Sequence, residues 1–130
     1  MPNTRQQLRD LDFRLQVTPK GTISEVRGND AIKQSIKTIL STIPGERVRL
    51  PDFGSRVYSL LFEPMDEDTA EEIRDSIEDA LATYENRIRL RRVNVFPNFD
   101  SNYYEIEIIY SNNTTGQQDT FVATMRAIGN

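Results

Sequence analysis

Residues 69–110 read TAEEIRDSIEDALATYENRIRLRRVNVFPNFDSNYYEIEIIY, and within them the apolar period changes from helical to extended. Ile73, Ile77, Ala80, Leu81 and Tyr84 recur every three or four residues and trace one face of a long helix that closes near Tyr84. Thr69 and Glu72 have the spacing of a capping box. Asp66, Glu67, Asp68, Glu71 and Glu72 crowd its opening, where the helix dipole favours negative charge. After Asn86 the period is two. Ile88 and Leu90 share one parity, and Val93 and Val95 share the other. A regular strand cannot put all four on one face, so either the strand starts near Arg91 or a bulge sits at Arg91-Arg92. Tyr103–Tyr110 alternates cleanly, with Tyr104, Ile106, Ile108 and Tyr110 on one face.

Working outward, Pro97–Asn102 reads as the hairpin loop between these strands. Ser111–Asp119 is a second turn, and Thr120–Ile128 a last strand. On the other side, Thr42–Pro64 (TIPGERVRLPDFGSRVYSLLFEP) is too irregular for one helix or strand. Pro44, Gly45, Pro51 and Gly54 shape its backbone. Phe53, Leu61 and Phe62 are its expected anchors in the core, at about 1.5–3 kcal/mol each. Ser55–Phe62 can form a short helix that Pro64 ends. Upstream, Ile32, Ile36, Ile39, Leu40 and Ile43 mark an amphipathic helix over Asp30–Thr42, with Asn29 or Asp30 as N-cap and Pro44-Gly45 as stop. Asp12–Val17 and Ile23–Val26 read as short extended pieces around a turn at Thr18–Gly21, and residues 1–10 as flexible or ordered by a partner.

The expected fold is therefore α+β, a single domain over residues 1–130. Two main helices and a short one pack on a small antiparallel sheet with a C-terminal three-stranded meander. Neither Tyr103–Tyr110 nor Thr120–Ile128 contains a proline that would blunt a sheet edge, and open edges accept strands from other chains.

Composition narrows the chemistry. The chain has 130 residues, 37% hydrophobic and 28% charged, with no cysteine and no histidine. Disulfides, thiolate metal sites and the commonest general base are excluded, and no cofactor is implied. No apolar run is long enough to span a membrane, and MPNTRQQLRDLDF has no apolar signal core. A net charge of −4 argues against nucleic acid as the main partner. Arg87, Arg89, Arg91 and Arg92 form a local exception, read as a solvated strand edge or as ion-pair partners, since stacking aromatics are not interleaved. A glycosidase needs two carboxylates roughly 5–9.5 Å apart. Glu46, Asp52, Glu63 and Asp66 are available, but 20 acidic residues make near neighbours inevitable.

The run T-x-P-G-E-R-V-x-x-P-D-F-G-S, followed by L-L-F-E-P, resembles the hallmark of the baseplate-wedge or tail-sheath-initiator family of contractile-tailed phages. That family was historically labelled acidic lysozyme-like, and it has relatives in type VI secretion and phage-like bacteriocins. LDFRL and GNDAIKQSIKTIL fit the family's opening. Its Glu-Pro-Arg signature falls at Glu85-Asn86-Arg87, with asparagine in place of proline. The resemblance implies a structural protein of the virion tail baseplate, assembled in the host cytoplasm and not an enzyme. It implies six copies beside the tail tube, contacting other wedge proteins and the tail sheath protein, whose first ring would complete the exposed strands. A type VI secretion counterpart would do the same work in a bacterium, and a generic adaptor domain is the plainest alternative. On this resemblance, Glu46, Arg47, Glu85, Asn86 and Arg87 are candidates for the wedge interface or for internal Glu–Arg pairs. Tyr104, Ile106, Ile108, Phe121, Ala123 and Met125 are the candidate sheath-contact positions on the C-terminal strands.

Overall fold

The computed structural model describes residues 23–26, 31–46 and 52–128. The expected strand at Asp12–Val17, the turn at Thr18–Gly21, the Asn29/Asp30 cap, and the motif residues Arg47 and Pro51 lie outside the described residues. In chain order the elements are β1 (Ile23–Val26), α1 (Ala31–Ser41), α2 (Val57–Leu60), α3 (Glu67–Tyr84), β2 (Ile88–Asn98), β3 (Tyr103–Asn112) and β4 (Gln118–Arg126).

The helix α3 starts two residues before the expected cap pair. Asp66 is the N-cap, and its carboxylate accepts from the Thr69 N–H at 2.8 Å. Thr69 instead lies inside the first turn, with its hydroxyl donating to the Pro64 carbonyl at 2.8 Å. The Thr69/Glu72 capping box is therefore corrected to an Asp66 cap. An aspartate satisfies a free helix N–H as well as threonine does, and its charge also suits the dipole.

The three C-terminal strands form the expected meander, and β1 joins it to give a four-stranded antiparallel sheet of order β1-β4-β3-β2. Of the two readings of residues 88–95, the bulge is the one that forms. The β2–β3 register shifts between Leu90 and Arg92. The extra residue resets the parity, so Leu90, Val93 and Val95 stand opposite Tyr110, Ile108 and Ile106.

One face of the sheet packs on the helices. Tyr104, Ile106, Ile108, Tyr110, Phe121, Ala123 and Met125 are buried there against Ile36, Ile39, Leu40, Val57, Leu61, Ile73, Ile77 and Leu81. Strand alternation delivers this layer, and the 3.6-residue stripe of each helix meets it. Lys33 of α1 reaches across to Asp119 of β4 at 3.4 Å.

The candidate sheath-contact positions need correction. All six are fully buried, and both of their strands are central. A central strand has both backbone edges already paired, and these side chains form the core. Among the described residues the edges of the sheet are β1 and β2.

Candidate functional site: the connector, the turn after the long helix, and the sheet edge

The connector folds back on α1. Gly45 has φ +99° and Gly54 has φ +125°. At Gly54 a Cβ would sit 2.2 Å from the Thr42 carbonyl oxygen, so no other residue fits without moving backbone. That approach lets the Ser55 N–H bond the Thr42 carbonyl at 3.1 Å, while the Ser55 hydroxyl bonds the Leu40 carbonyl at 3.0 Å. The Leu40 carbonyl belongs to the last turn of α1 and the Thr42 carbonyl lies just past its end, where the helix has no further partner for them. Around Pro44-Gly45, the Glu46 carboxylate accepts from the Ile43 N–H at 3.1 Å, and the Glu46 N–H donates to the Ile43 carbonyl at 3.0 Å. Glu46 thus closes its own turn.

The connector is then pinned to α3 and to the C-terminal end. Phe53 packs on Tyr84 in a tilted pair, with ring centroids 4.9 Å apart and planes at 59°, and the Tyr84 hydroxyl donates to the Asp52 carbonyl. The Ser76 hydroxyl accepts the Arg56 N–H at 3.0 Å. Leu61 is completely buried, and its carbonyl accepts the Ile128 N–H at 2.7 Å. Phe62 is not a core anchor as expected. It is 49% exposed and makes an edge contact with Tyr58. The reason is helical geometry: consecutive residues at the end of α2 point about 100° apart, so burying Leu61 turns Phe62 outward.

The turn after α3 is built on Glu85. This residue ends the helix in extended conformation, and its carboxylate is buried. Arg87 grips it bidentately, Nε to Oε2 at 2.8 Å and Nη2 to Oε1 at 3.0 Å, while the Arg87 N–H adds a bond at 3.2 Å. Burial pushes the Glu85 carboxyl up, but the bonds from Arg87 and Ser35 and the guanidinium charge outweigh it. The carboxyl is held below its ordinary value. Asn86 stands where the family pattern has proline. Glu85 has φ −122° and ψ 93°, extended as a following proline would require. Asn113 secures the turn from the β3–β4 loop, bonding the Asn86 carbonyl through its side chain at 2.9 Å and the Arg87 carbonyl through its N–H at 2.8 Å. Of the five wedge-interface candidates, the structure joins Glu85 to Arg87 and places Glu46 elsewhere, in the connector. Asn86 is exposed and Arg87 half-exposed.

Sequence reasoning missed Asn113, Ser76 and Lys37. Asn113 hid inside a polar turn, and Ser76 is one hydroxyl on a helix. Lys37 is buried on α1, where burial pushes its ammonium down. Among the described residues no His, Cys, Asp and Glu group could hold a metal ion, and no helix is long and apolar enough to cross a membrane.

A cleft of about 440 Å³ lies between the start of α1 and the β3–β4 turn, lined mainly by amides and hydroxyls with Arg87 and Asp119. A depression of about 210 Å³ holds Asp52 and Asp79, below the roughly 300 Å³ at which ligand clefts begin. The Glu85 carboxyl is shifted in the direction opposite to that of a glycosidase general acid. Near the connector, the Asp66 carboxylate is occupied as a helix cap.

The described residues thus form a small α+β domain whose shaped connector is stitched to its own core and whose four-stranded sheet is bordered by β1 and β2. The chain belongs to the baseplate wedge protein gp25 family, whose pattern matches residues 26–117. It is 33% identical over 111 residues to baseplate wedge protein gp25 of Enterobacteria phage T4, covering 85% of this chain and 84% of that one. Among solved structures it resembles a protein described as a candidate tail lysozyme from Geobacter sulfurreducens, with 31% identity and a TM-score of 0.69. That match spans 75% of this chain and 88% of the other. A chain of the type VI secretion baseplate complex shares the fold at 19% identity and a TM-score of 0.54, covering 74% of this chain and 92% of its own.

Proposed function

We propose that this baseplate wedge protein joins the wedge of a contractile tail and starts polymerisation of the tail sheath by offering a sheet edge to the first sheath ring. The observation that carries the reading is the strand order β1-β4-β3-β2, which leaves an eleven-residue strand at one border of the sheet. Edge strands recruit extended segments through main-chain hydrogen bonds. The T4 relative, a baseplate wedge protein by name, supports the setting. In this reading six copies ring the tail tube in the virion after assembly in the host cytoplasm. Wedge partners meet the turn at Asn86 and the outer side of Arg87, while Glu85 holds that turn in shape.

The work is structural. Against a lysozyme-like reading, which the description of the Geobacter relative raises, stand the Asp66 carboxylate, engaged as a helix cap, and the small volume of about 210 Å³ around Asp52 and Asp79. The deciding experiment mixes the full chain, at substoichiometric amounts, with its cognate sheath protein and follows assembly by light scattering and electron microscopy. Shortened lag and sheath-like cylinders are expected. An unchanged lag with no cylinders defeats the proposal.

A further inference from the structure

We propose that β2 is the receiving edge, and that the strand it receives is acidic, with carboxylates two residues apart on the face away from the helices. This deepens the sheath-nucleation reading and rests on it. Among the described residues, the strands that border the sheet are β1 and β2. β1 has four residues and an irregular register with β4, whereas β2 has eleven and pairs with β3 along its length. Pro97 near the end of β2 is tolerated because an edge strand need not supply every N–H to a ladder.

The bulge sets the chemistry of this edge. Arg89 stands opposite Ser111 and Arg92 opposite Ile109, on the face away from the helices. Ser111 and Ile109 are two residues apart, so the bulge makes Arg89 and Arg92 immediate neighbours on that face, although three positions separate them in sequence. Both are exposed, and neither has an ion pair among the described residues. Arg91, in the bulge, bonds the Ser111 hydroxyl at 3.0 Å. Further along the same face come Asn94, bonded to Glu107 at 2.9 Å, and Phe96, 51% exposed. An added strand would meet Arg89, Arg92, Asn94 and Phe96 in two-residue steps. The complementary strand therefore presents acid, acid, a small polar residue and an apolar residue at alternate positions.

Charge and a bulge on an edge also guard against unwanted pairing. Here the two roles agree. Three arginines repel a like-charged strand laid along them, including this segment of a second copy, and they attract an acidic one.

The test uses the full chain, ¹⁵N-labelled, and a capped peptide Val-Ile-Thr-Val-Glu-Val-Glu, written to lie antiparallel to β2. Amide shifts and slowed solvent exchange over residues 88–98 are expected. A peptide with lysine at both glutamate positions should bind about tenfold more weakly, and the R89E/R92E double variant should invert that preference. Perturbation confined to β1, equal response to the two peptides, or tighter binding of a twelve-residue oligothymidylate than of the acidic peptide overturns the inference. No sheath protein is needed, so failure here and failure to seed sheath assembly are read separately.

Discussion

The connector and β2 carry similar raw material and use it in opposite ways. Both mix charge with large apolar groups. In the connector several of the described residues are engaged internally: Glu46 closes a turn, Ser55 caps α1, Phe53 meets Tyr84, and Leu61 fills the core. Along β2, Arg89, Arg92 and Phe96 face outward on a strand whose outer border has no partner strand among the described residues. The segment that identifies the family is thus a folding device. The surface proposed to meet another chain is one that looks ordinary in sequence.

The sharpest way to break this contrast is to alter the connector. Gly54→Ala places a Cβ against the Thr42 carbonyl at a positive φ, and should cost at least about 4 kcal/mol in urea unfolding. Gly45→Ala, where space is open, should cost only about 1 kcal/mol. A comparable loss at both glycines would mean that close packing is not what the connector depends on. Next comes the adjacent pair in α2 and beyond. Leu61→Ala should cost about 3 kcal/mol, and Phe62→Ala under about 1 kcal/mol. Equal losses would restore Phe62 to the core.

Glu85→Gln should cost about 1–2 kcal/mol near neutral pH, because it strips the buried carboxylate of its charge-assisted bonds. Its pH dependence gives a second reading. Glu85 has a depressed carboxyl, so its contribution is complete above the unfolded value of about 4.3 and disappears as pH falls through the folded value. The variant should converge on the parent in acid, and a constant gap across that range would count against the ion pair. The smallest effect is expected at Tyr104, whose buried hydroxyl has no hydrogen-bond partner among the described residues. Tyr104→Phe should be neutral or stabilising by up to about 1 kcal/mol, measured by thermal unfolding.

Local patterns were legible and long-range ones were not. The period of α3, the alternation of β3 and the parity break at Arg91 could each be read within a few residues, and the structure keeps all three. The partnership of β1 with β4 joins Ile23 to Met125, and no local spacing encodes it. Missing it left β4 looking like an edge, and misplaced the sheath contact onto core residues. Pro97 was the available signal that β2, not β3 or β4, borders the sheet. Leu61 and Phe62 were indistinguishable because both are large, apolar and adjacent. Only the direction of the helix end separates them. Among the interface candidates, the Glu85–Arg87 pair could be anticipated from its short spacing, whereas Asn113 arrives from 27 residues beyond Asn86.

The bond from the Ile128 N–H to the Leu61 carbonyl has a mechanical meaning. Directly before it, the Ala127 N–H bonds the Asn102 carbonyl in the β2–β3 hairpin turn. The segment following β4 therefore ties the far end of the sheet to the end of α2. A pull delivered to the sheet along its strands loads many ladder bonds side by side. Across this seam, a pull that peels the segment away meets its bonds one after another. Under tension the seam should yield before the sheet does, freeing residues after β4 while the four strands stay paired.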